Sequence, residues 1–274
     1  MTYSLFLMLF LVPPIGLLAL STFSDARRGR RLPPGLCSFP AGLAVGLHLL
    51  LAVLYTTPWD NYLVATGVWT YNPALVTGIT LGWVPVEEYA FFVLQTLLSA
   101  LWLLFLARRL APDTQSVENG LHLRRSASLA FGAAWLASLA LLLSGWRPAT
   151  YLALILVWAL PPLLLQLAFG PDILWKHRRL VIASLASASL YLGLCDSLAI
   201  GAGTWSITPG QSLQIFLPGG LPVEELLFFV VTNLLVINGI TLLLAAESRK
   251  RLGVWVSHLR FSEPHYESKE LPEA

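Results

Sequence analysis

The chain has 274 residues, of which 56% are hydrophobic and 12% are charged, and its formal net charge is +2. About a quarter of the residues in a soluble domain are charged, so the composition excludes an ordinary soluble protein and favours a membrane-embedded one. The small net charge itself says little, and we expect the lipid bilayer, with no nucleic acid, as the surroundings of the chain.

Seven apolar stretches are each long enough to cross a hydrocarbon core of about 30 Å, which takes about 20 helical residues. The first stretch is followed by arginines rather than by a small-residue cleavage site, so we interpret it as a permanent helix. The fold class is therefore all-α, a polytopic membrane protein of about seven transmembrane helices. In chain order the spans are predicted near 2–20, 36–57, 84–106, 127–145, 150–170, 180–200 and 221–246.

Lysine and arginine residues concentrate in alternate connections of this seven-span plan. They cluster at 27–31, 108–125 and 176–179 and from residue 249 onward, and Arg147 alone falls on the opposite side. Because Lys and Arg are enriched in cytoplasmic loops, we predict an outside N-terminus and a cytoplasmic C-terminus.

The sequence contains an internal repeat. Residues 85–93 read PVEEYAFFV, and residues 222–230 read PVEELLFFV. A chance match of one apolar nonamer is conceivable, but further matches stand in the same order, so we interpret the repeat as real. Upstream of the motif, Asp60, Trp69, Pro73 and Pro13-Pro14 align with Asp196, Trp205, Pro209 and Pro161-Pro162.

The repeat predicts a domain organisation. A first three-helix repeat is expected over 1–110, a connector with one transmembrane helix over 111–149, a second three-helix repeat over 150–248 and a disordered cytoplasmic tail over 249–274. Since one extra crossing separates the copies, both enter the membrane in the same direction. We therefore predict a 3+1+3 arrangement of parallel repeats related by an axis along the membrane normal.

Six carboxylates belong to the repeat and have no nearby lysine or arginine in the sequence. Ionisable groups at membrane depth are costly and mark functional sites by default. Glutamates in the first turn of a helix can also be caps, and this alternative stays open for Glu87 and Glu224. It fits Glu88 and Glu225 less well, because a polar and aromatic stripe follows them at helical spacing. The six are Asp60, Asp196, Glu87, Glu88, Glu224 and Glu225; the stripe holds Phe92, Gln95, Thr96, Phe229, Thr232 and Asn233.

Paired carboxyl groups in an apolar site suit proton transfer, because one can act as a general acid while an ionised neighbour accepts a proton. Aromatic ring faces nearby can stabilise a developing carbocation. For each single tryptophan, the interfacial aromatic belt is the alternative interpretation. The candidate aromatic residues are Trp69, Trp83, Phe91, Phe92, Trp205, Phe228 and Phe229.

Several chemistries lack their sequence signal. No Gly-x-Gly-x-x-Gly follows a strand pattern, so a dinucleotide fold is not indicated. His48 is the only histidine inside a predicted span and has no counterpart in the second copy, which argues against a metal cluster. We therefore expect neither a cofactor nor a metal.

The doubled Pro-x-Glu-Glu-x-x-Phe-Phe motif, each copy preceded by an aromatic loop with a tryptophan, resembles the membrane-integral lycopene cyclase family, which occurs as paired small subunits or as fused single chains. The resemblance spans most of residues 1–246. It implies a carotenoid cyclase, an intramolecular lyase or isomerase that forms ionone-type rings on an acyclic carotenoid such as lycopene, by proton-initiated, cofactor-free and non-redox chemistry.

The resemblance also implies roles for the candidate residues. Glu87, Glu88, Glu224 and Glu225 take the acid/base positions. The aromatic residues, with Gln95 and Asn233, bind substrate, and Asp60 and Asp196 support the site. The second copy has Leu226-Leu227 where the first has Tyr89-Ala90, so the halves need not be chemically equivalent. Because the copies are parallel, we favour a single composite site.

Other functions stay open. A small-solute transporter could share the parallel 3+1+3 plan, with the proline pairs bending helices for alternating access. A pigment-binding or assembly subunit is a third hypothesis. The sequence leaves open the ring type, the number of ends cyclised, the substrate length, which glutamate is acid and which is base, and the oligomeric state, a homo-oligomer included.

Overall fold

A computed structural model describes residues 1–111 and 120–261 of the chain. In this part of the chain, seven helices are long and apolar enough to cross a membrane, as expected of an all-α, multi-pass membrane protein. In chain order the helices are α1 (Tyr3–Arg27), α2 (Ala41–Ala65), α3 (Val86–Ala107), α4 (Gly120–Leu143), α5 (Thr150–Phe169), α6 (Pro171–Lys176), α7 (Arg178–Gly201), α8 (Val223–Leu244) and α9 (Ala246–Phe261).

The end of α1 differs from the predicted span, which stopped at residue 20. The helix continues to Arg27 and carries Asp25 in its last turns. This aspartate is buried because the guanidinium groups of Arg109 and Arg30 lie 2.9 and 3.5 Å from its carboxyl oxygens. The span was predicted from its apolar residues. Such a prediction stops before a helix end that contains a charged residue, even when an ion pair allows that residue to be buried.

Four short strands lie in the loops that precede the repeated motif. They are β1 (Trp69–Tyr71), β2 (Thr80–Leu81), β3 (Val84–Pro85) and β4 (Trp205–Ile207). β1 and β4 pair antiparallel, with Thr70 opposite Ser206 at the centre. Because the two strands come from aligned positions of the repeat, this pairing joins one copy to the other at the level of the glutamate motifs.

The two proline pairs remove backbone donors from the first helix of each copy. In α1, a π-helical turn over Leu7–Leu11 precedes Pro13-Pro14, and α5 contains Pro161-Pro162. The carbonyl oxygens left free four residues earlier accept tyrosine hydroxyls from the second helix of the other copy, so each proline pair supports a link between the copies. These bonds are Tyr191 Oη to Phe10 O at 2.7 Å and Tyr55 Oη to Trp158 O at 2.8 Å.

The connector helix α4 packs along α5 and stays largely exposed on its remaining faces, as a lipid-facing helix does. α3 and α8 are the most buried long helices, and they contact each other at the centre of the bundle. These two helices carry the repeated glutamates, so the motif lies in the interior of the fold.

Part of the segment predicted to be a disordered tail is helical in the structure. Residues 249–261 belong to the helix α9, whose first turns are fixed by ion pairs to α6. Glu247 pairs with Lys176, and Arg251 lies 2.6 Å from the Asp172 carboxylate. Residues 112–119 of the predicted connector and 262–274 of the predicted tail lie outside the described residues.

Candidate active site

Proline and glutamate open the two central helices in the same way. Pro85 and Pro222 are the residues before α3 and α8, where a fixed φ and a missing N–H are tolerated. In the first turn, Glu87 Oε1 accepts the backbone N–H of Thr77 at 2.6 Å, and Glu224 Oε1 accepts that of Leu213 at 2.7 Å. These two glutamates therefore tie the preceding loops to the helix starts, a structural role close to the capping alternative.

The second glutamate of each motif accepts a tyrosine hydroxyl. Tyr3 Oη donates to Glu88 Oε2 at 2.5 Å, and Tyr151 Oη donates to Glu225 Oε1 at 2.9 Å. All four side chains are buried. The tyrosines stand at the starts of α1 and α5, so the first and third helices of each copy meet at a carboxyl group.

These tyrosines were missed in the sequence, although a signal for them exists. Tyr3 and Tyr151 each stand ten residues before a proline pair, at Pro13 and Pro161. Extending the repeat alignment upstream through the apolar spans would have matched them.

The two copies differ in whether a second tyrosine donates a hydrogen bond to the second glutamate of the motif. Tyr71, in β1, donates to the same oxygen of Glu88 at 2.9 Å. Burial, together with the nearby Glu88 carboxyl, raises the pKa of Tyr71 well above its usual value, so this hydroxyl stays a donor. The aligned residue in β4 is Ile207, which has no hydroxyl. In the described residues, Glu225 Oε2 is buried and has no hydrogen-bond partner.

The repeated aspartates join this group of carboxyls. Asp60 of α2 and Asp196 of α7 are 4% and 1% exposed. Asp60 lies near enough to Glu88 for the two carboxyls to interact electrostatically, and Glu225 lies as near to Asp196 and Glu88. Four of the six predicted carboxyls, Glu88, Glu225, Asp60 and Asp196, therefore form one buried cluster to which both copies contribute.

The tryptophans of the paired strands cross between the copies. Trp205 packs on Tyr3 with ring centroids 4.8 Å apart, and Trp69 packs on Tyr151 at 5.9 Å. The Trp205 indole N–H also donates to Asp196 Oδ1 at 3.0 Å, whereas the buried Trp69 indole N–H has no partner among the described residues. Trp83 is 67% exposed in the turn between β2 and β3 and does not join these buried rings.

The polar stripe below the carboxyls links α3 to α8. Gln95 donates to Thr232 Oγ1 at 2.7 Å, and Ser99 donates to Asn233 Oδ1 at 2.5 Å. Beside it, Phe91, Phe228 and Phe229 form edge-on ring pairs with centroids 6.3 and 5.4 Å apart. The stripe faces the bundle interior, as expected, and Gln95 and Asn233 hold the two central helices together.

Comparison with known proteins identifies the family to which both copies of the repeat are similar. The family model described as lycopene cyclase matches residues 1–106 and 148–243. A lycopene beta-cyclase of Halobacterium salinarum is 39% identical over 198 residues, which cover 72% of this chain and 81% of that protein. No solved structure matches this chain.

Fungal relatives carry the same region within longer proteins. A bifunctional lycopene cyclase/phytoene synthase of Aspergillus niger is 38% identical over 201 residues, 70% of this chain and 33% of the fungal protein. The corresponding protein of Podospora anserina is 36% identical over 203 residues, 72% and 34% of the two chains. The matched segments of the family model contain both glutamate motifs, both tyrosines and both aspartates. The chain belongs to the lycopene cyclase family.

Proposed function

We propose that this protein cyclises the ends of lycopene, or of a similar acyclic carotenoid, into ionone-type rings without net oxidation or reduction. One observation carries the proposal: Glu88 and Glu225, from the two copies of the repeat, lie in one buried carboxyl cluster with a tyrosine on each. The names of the relatives support the substrate, and the name of the Halobacterium protein favours a β-ring.

The proposed reaction begins with a carboxylic acid in the cluster, which transfers its proton to the terminal double bond of the polyene. The resulting tertiary cation is attacked by the neighbouring double bond, and this closes the ring. A carboxylate then removes a proton beside the new cation and sets the ring double bond. One proton enters and one leaves, so the product is an isomer of the substrate.

The hydrogen bonds suggest which glutamate has which role. Glu88 accepts two tyrosine hydroxyls, an arrangement that suits an ionised carboxylate and therefore the base. Glu225 accepts one, and its Oε2 is free of partners in the described part of the chain, so a transferable proton can be carried there. We assign Glu225 as the acid and Glu88 as the base, with Asp60 and Asp196 as supporting charges.

The 3+1+3 arrangement with parallel copies is also part of the proposal. It is supported by three matched sets of contacts: the loop N–H bonds of Glu87 and Glu224, the tyrosine bonds of Glu88 and Glu225, and the proline-freed carbonyls. With the basic clusters at the far ends of the helices, the carboxyl cluster would lie near the outer face and the C-terminus in the cytoplasm.

The transporter alternative has no support in the comparisons. The proline pairs, which suggested hinges, free carbonyl oxygens that are bonded by Tyr55 and Tyr191 across the copies. Such bonds resist the sliding of one copy past the other that alternating access would need.

Expression in lycopene-accumulating cells followed by pigment chromatography tests the proposal. The wild-type protein should produce ring-bearing carotenoids, and Glu88→Gln and Glu225→Gln should each lose this activity by about 100-fold or more. Glu247→Gln, a glutamate outside the cluster, is the matched control and should keep it. Retention of half the activity by either site variant would contradict a single composite site.

A further inference from the structure

The bundle contains an apolar groove that we name the polyene groove, lined among others by Ala52, Tyr55, Phe92, Trp158 and Phe228. Resting on the proposed function, we propose that the conjugated chain of the carotenoid lies in this groove while its end reaches the carboxyl cluster. A second groove, related to it by the repeat, does not hold substrate.

The polyene groove begins about one helical turn from the carboxyl cluster. Phe92 stands one helical turn beyond Glu88 on α3, and Phe228 stands nearly one turn beyond Glu225 on α8. From there a cavity of about 340 Å³ extends between α2, α3, α5 and α8. Leu51 and Leu165 on its rim are 49% and 73% exposed, so the groove opens on the lipid-facing surface. A membrane-dissolved polyene can therefore reach the carboxyls without crossing water.

Three aromatic residues that line the polyene groove, Tyr55, Trp158 and Phe228, form a wall of nearly parallel rings with Trp59, which packs on them and does not itself line the cavity. Trp59 stacks on Trp158 with centroids 4.6 Å apart and on Phe228 at 5.8 Å, with interplanar angles of 20° and 8°. Tyr55 stacks on Trp158 at 5.7 Å. A conjugated polyene is itself polarisable, so it gains dispersion contact along a lining rich in aromatic rings. A saturated lipid chain gains no such match.

Hydrogen bonds hold the wall in place. Tyr55 Oη donates to the Trp158 carbonyl at 2.8 Å, and the Trp59 indole N–H donates to the Leu154 carbonyl at 3.0 Å. The rings come from both copies, because Tyr55 and Trp59 lie on α2 and Trp158 on α5. The wall is therefore formed before substrate arrives.

The second groove differs from the polyene groove in its distance from the carboxyl cluster. It has about 480 Å³ and is lined by aligned residues, with Ala188 and Tyr191 at the positions of Ala52 and Tyr55. It meets α3 only from Leu98 onward, more than two turns beyond Glu88. Phe10 and Cys195 stand at the positions aligned with Trp158 and Trp59, and neither lines the second groove. The larger cavity therefore does not reach the carboxyls, and its own stacked ring pair, Trp102 and Phe105 with centroids 5.3 Å apart, lies still further along α3 from Glu88.

A matched pair of substitutions tests the inference. Ala52→Trp fills the polyene groove, and Ala188→Trp fills the aligned position of the second groove. In lycopene-accumulating cells, Ala52→Trp should lower ring-bearing product by about tenfold or more, because the end of the polyene can no longer be placed at the carboxyls. Ala188→Trp should remain close to wild type. Equal losses in both variants, or none in Ala52→Trp, would overturn the proposal.

Binding is measured separately from catalysis. Each tryptophan substitution is combined with Glu225→Gln, and the lycopene that co-purifies with the detergent-solubilised full chain is quantified by absorbance. The Ala52→Trp combination should lose bound lycopene, and the Ala188→Trp combination should keep it. Loss of bound phospholipid instead of lycopene from the Ala52→Trp combination would identify the groove as a lipid site and would contradict the inference.

Two further comparisons keep the test decisive. If Ala52→Trp does not yield folded protein, Ala52→Leu partly fills the same space and should give a smaller loss of product in the same direction; unchanged product would overturn the inference. If the wild-type protein makes no rings, the proposed function fails. If it makes rings and the filled groove makes them equally well, only the groove assignment fails.

Discussion

The two copies of the repeat present their second glutamates in the same position but surround them with different donors. Glu88 is bonded by Tyr3 and Tyr71, whereas Glu225 is bonded by Tyr151 and has Ile207 at the position that corresponds to Tyr71. The backbone frame is thus shared, and the difference lies in a single hydroxyl group that reaches the carboxyl from the strand pair β1–β4.

This difference matters because the proposed reaction is itself asymmetric. One carboxyl must give a proton to a double bond, and another must take a proton from a cation. A perfectly symmetric pair would offer two equal groups. The repeat places the carboxyls together, and the unequal hydrogen bonding then separates their roles, as unequal surroundings do for paired carboxyls in other active sites.

The largest expected effect comes from replacing the second glutamate of each copy, Glu88 or Glu225, by glutamine. Glu225→Gln removes the proposed acid, so lycopene should be recovered unchanged, with activity lower by about 100-fold or more. Glu88→Gln leaves the acid in place, so the substrate can be protonated but not deprotonated at the correct carbon. In heavy water, lycopene recovered from Glu88→Gln should carry deuterium at its ends, measured by mass spectrometry.

Lycopene recovered from Glu225→Gln should carry no deuterium. The opposite labelling pattern would reverse the two assignments, and deuterium in neither sample would argue that both carboxyls act in the same proton transfer.

The apolar stretches predicted the long helices, and the repeated motif singled out carboxyls that lie buried, because charges in apolar spans are costly; the catalytic roles of these carboxyls stay a prediction. The motif did not predict the groups that make the halves unequal. Tyr3 sits within a run of apolar residues and looks like part of the span, and the contact of Tyr71 with Glu88 depends on how β1 pairs with β4. Trp83 was expected in the site because it stands beside the repeated motif, yet its side chain is exposed in the turn between β2 and β3.

The next largest effect should come from the tyrosines at the starts of α1 and α5. A hydrogen bond to a charged group contributes about 1.5–3 kcal/mol, so Tyr3→Phe should lower the cyclisation rate by about tenfold or more if Glu88 is the ionised base. Tyr151→Phe should have a smaller effect, since Glu225 is assigned as the neutral acid. Tyr191→Phe removes a hydroxyl bond outside the site and serves as the control.

Initial rates of ring formation in lipid nanodiscs compare these variants. The assignment predicts that Tyr3→Phe has the lowest rate of ring formation of the three variants. The temperature of thermal unfolding should be similar in all three. A larger loss in Tyr151→Phe than in Tyr3→Phe would contradict the proposed division of roles.

A smaller effect is expected when the hydroxyl that distinguishes the copies is removed. Tyr71→Phe makes the first copy resemble the second and should lower the rate several-fold, about 1 kcal/mol of lost hydrogen bonding. The pKa of Tyr71 is raised by burial and by the nearby Glu88 carboxyl, so its contribution to stability persists below the ordinary value of 10.0 and is lost only as the pH rises through the higher folded value. Ultraviolet titration of the wild type against Tyr71→Phe should therefore show this tyrosine ionising above pH 10; ionisation at its ordinary value would contradict the burial argument.

The smallest effect concerns the opposite end of the bundle, where both copies carry ion pairs. The first copy ends with Asp25 paired to Arg109, and the second with Asp172 paired to Arg251. Among the described residues, the second copy also has an ion pair between Lys176 and Glu247, which fixes α9. Burial opposes ionisation of Glu247, but the hydrogen bond and charge of Lys176, a backbone hydrogen bond and the charge of His177 together outweigh it, so the pKa of Glu247 is lowered.

The contribution of this pair is therefore present above the ordinary carboxyl value of 4.5 and is lost as the pH falls through the lower folded value. Since both side chains are about one-third exposed, solvent screening keeps the effect of Glu247→Gln below about 1 kcal/mol. Thermal unfolding of the wild type and Glu247→Gln should differ slightly at pH 7 and converge below pH 4.5, with ring formation unchanged in both. A loss of cyclisation in Glu247→Gln would mean that the docking of α9 reaches the carboxyl cluster, and the comparison of the two copies would then have to include both ends of the bundle.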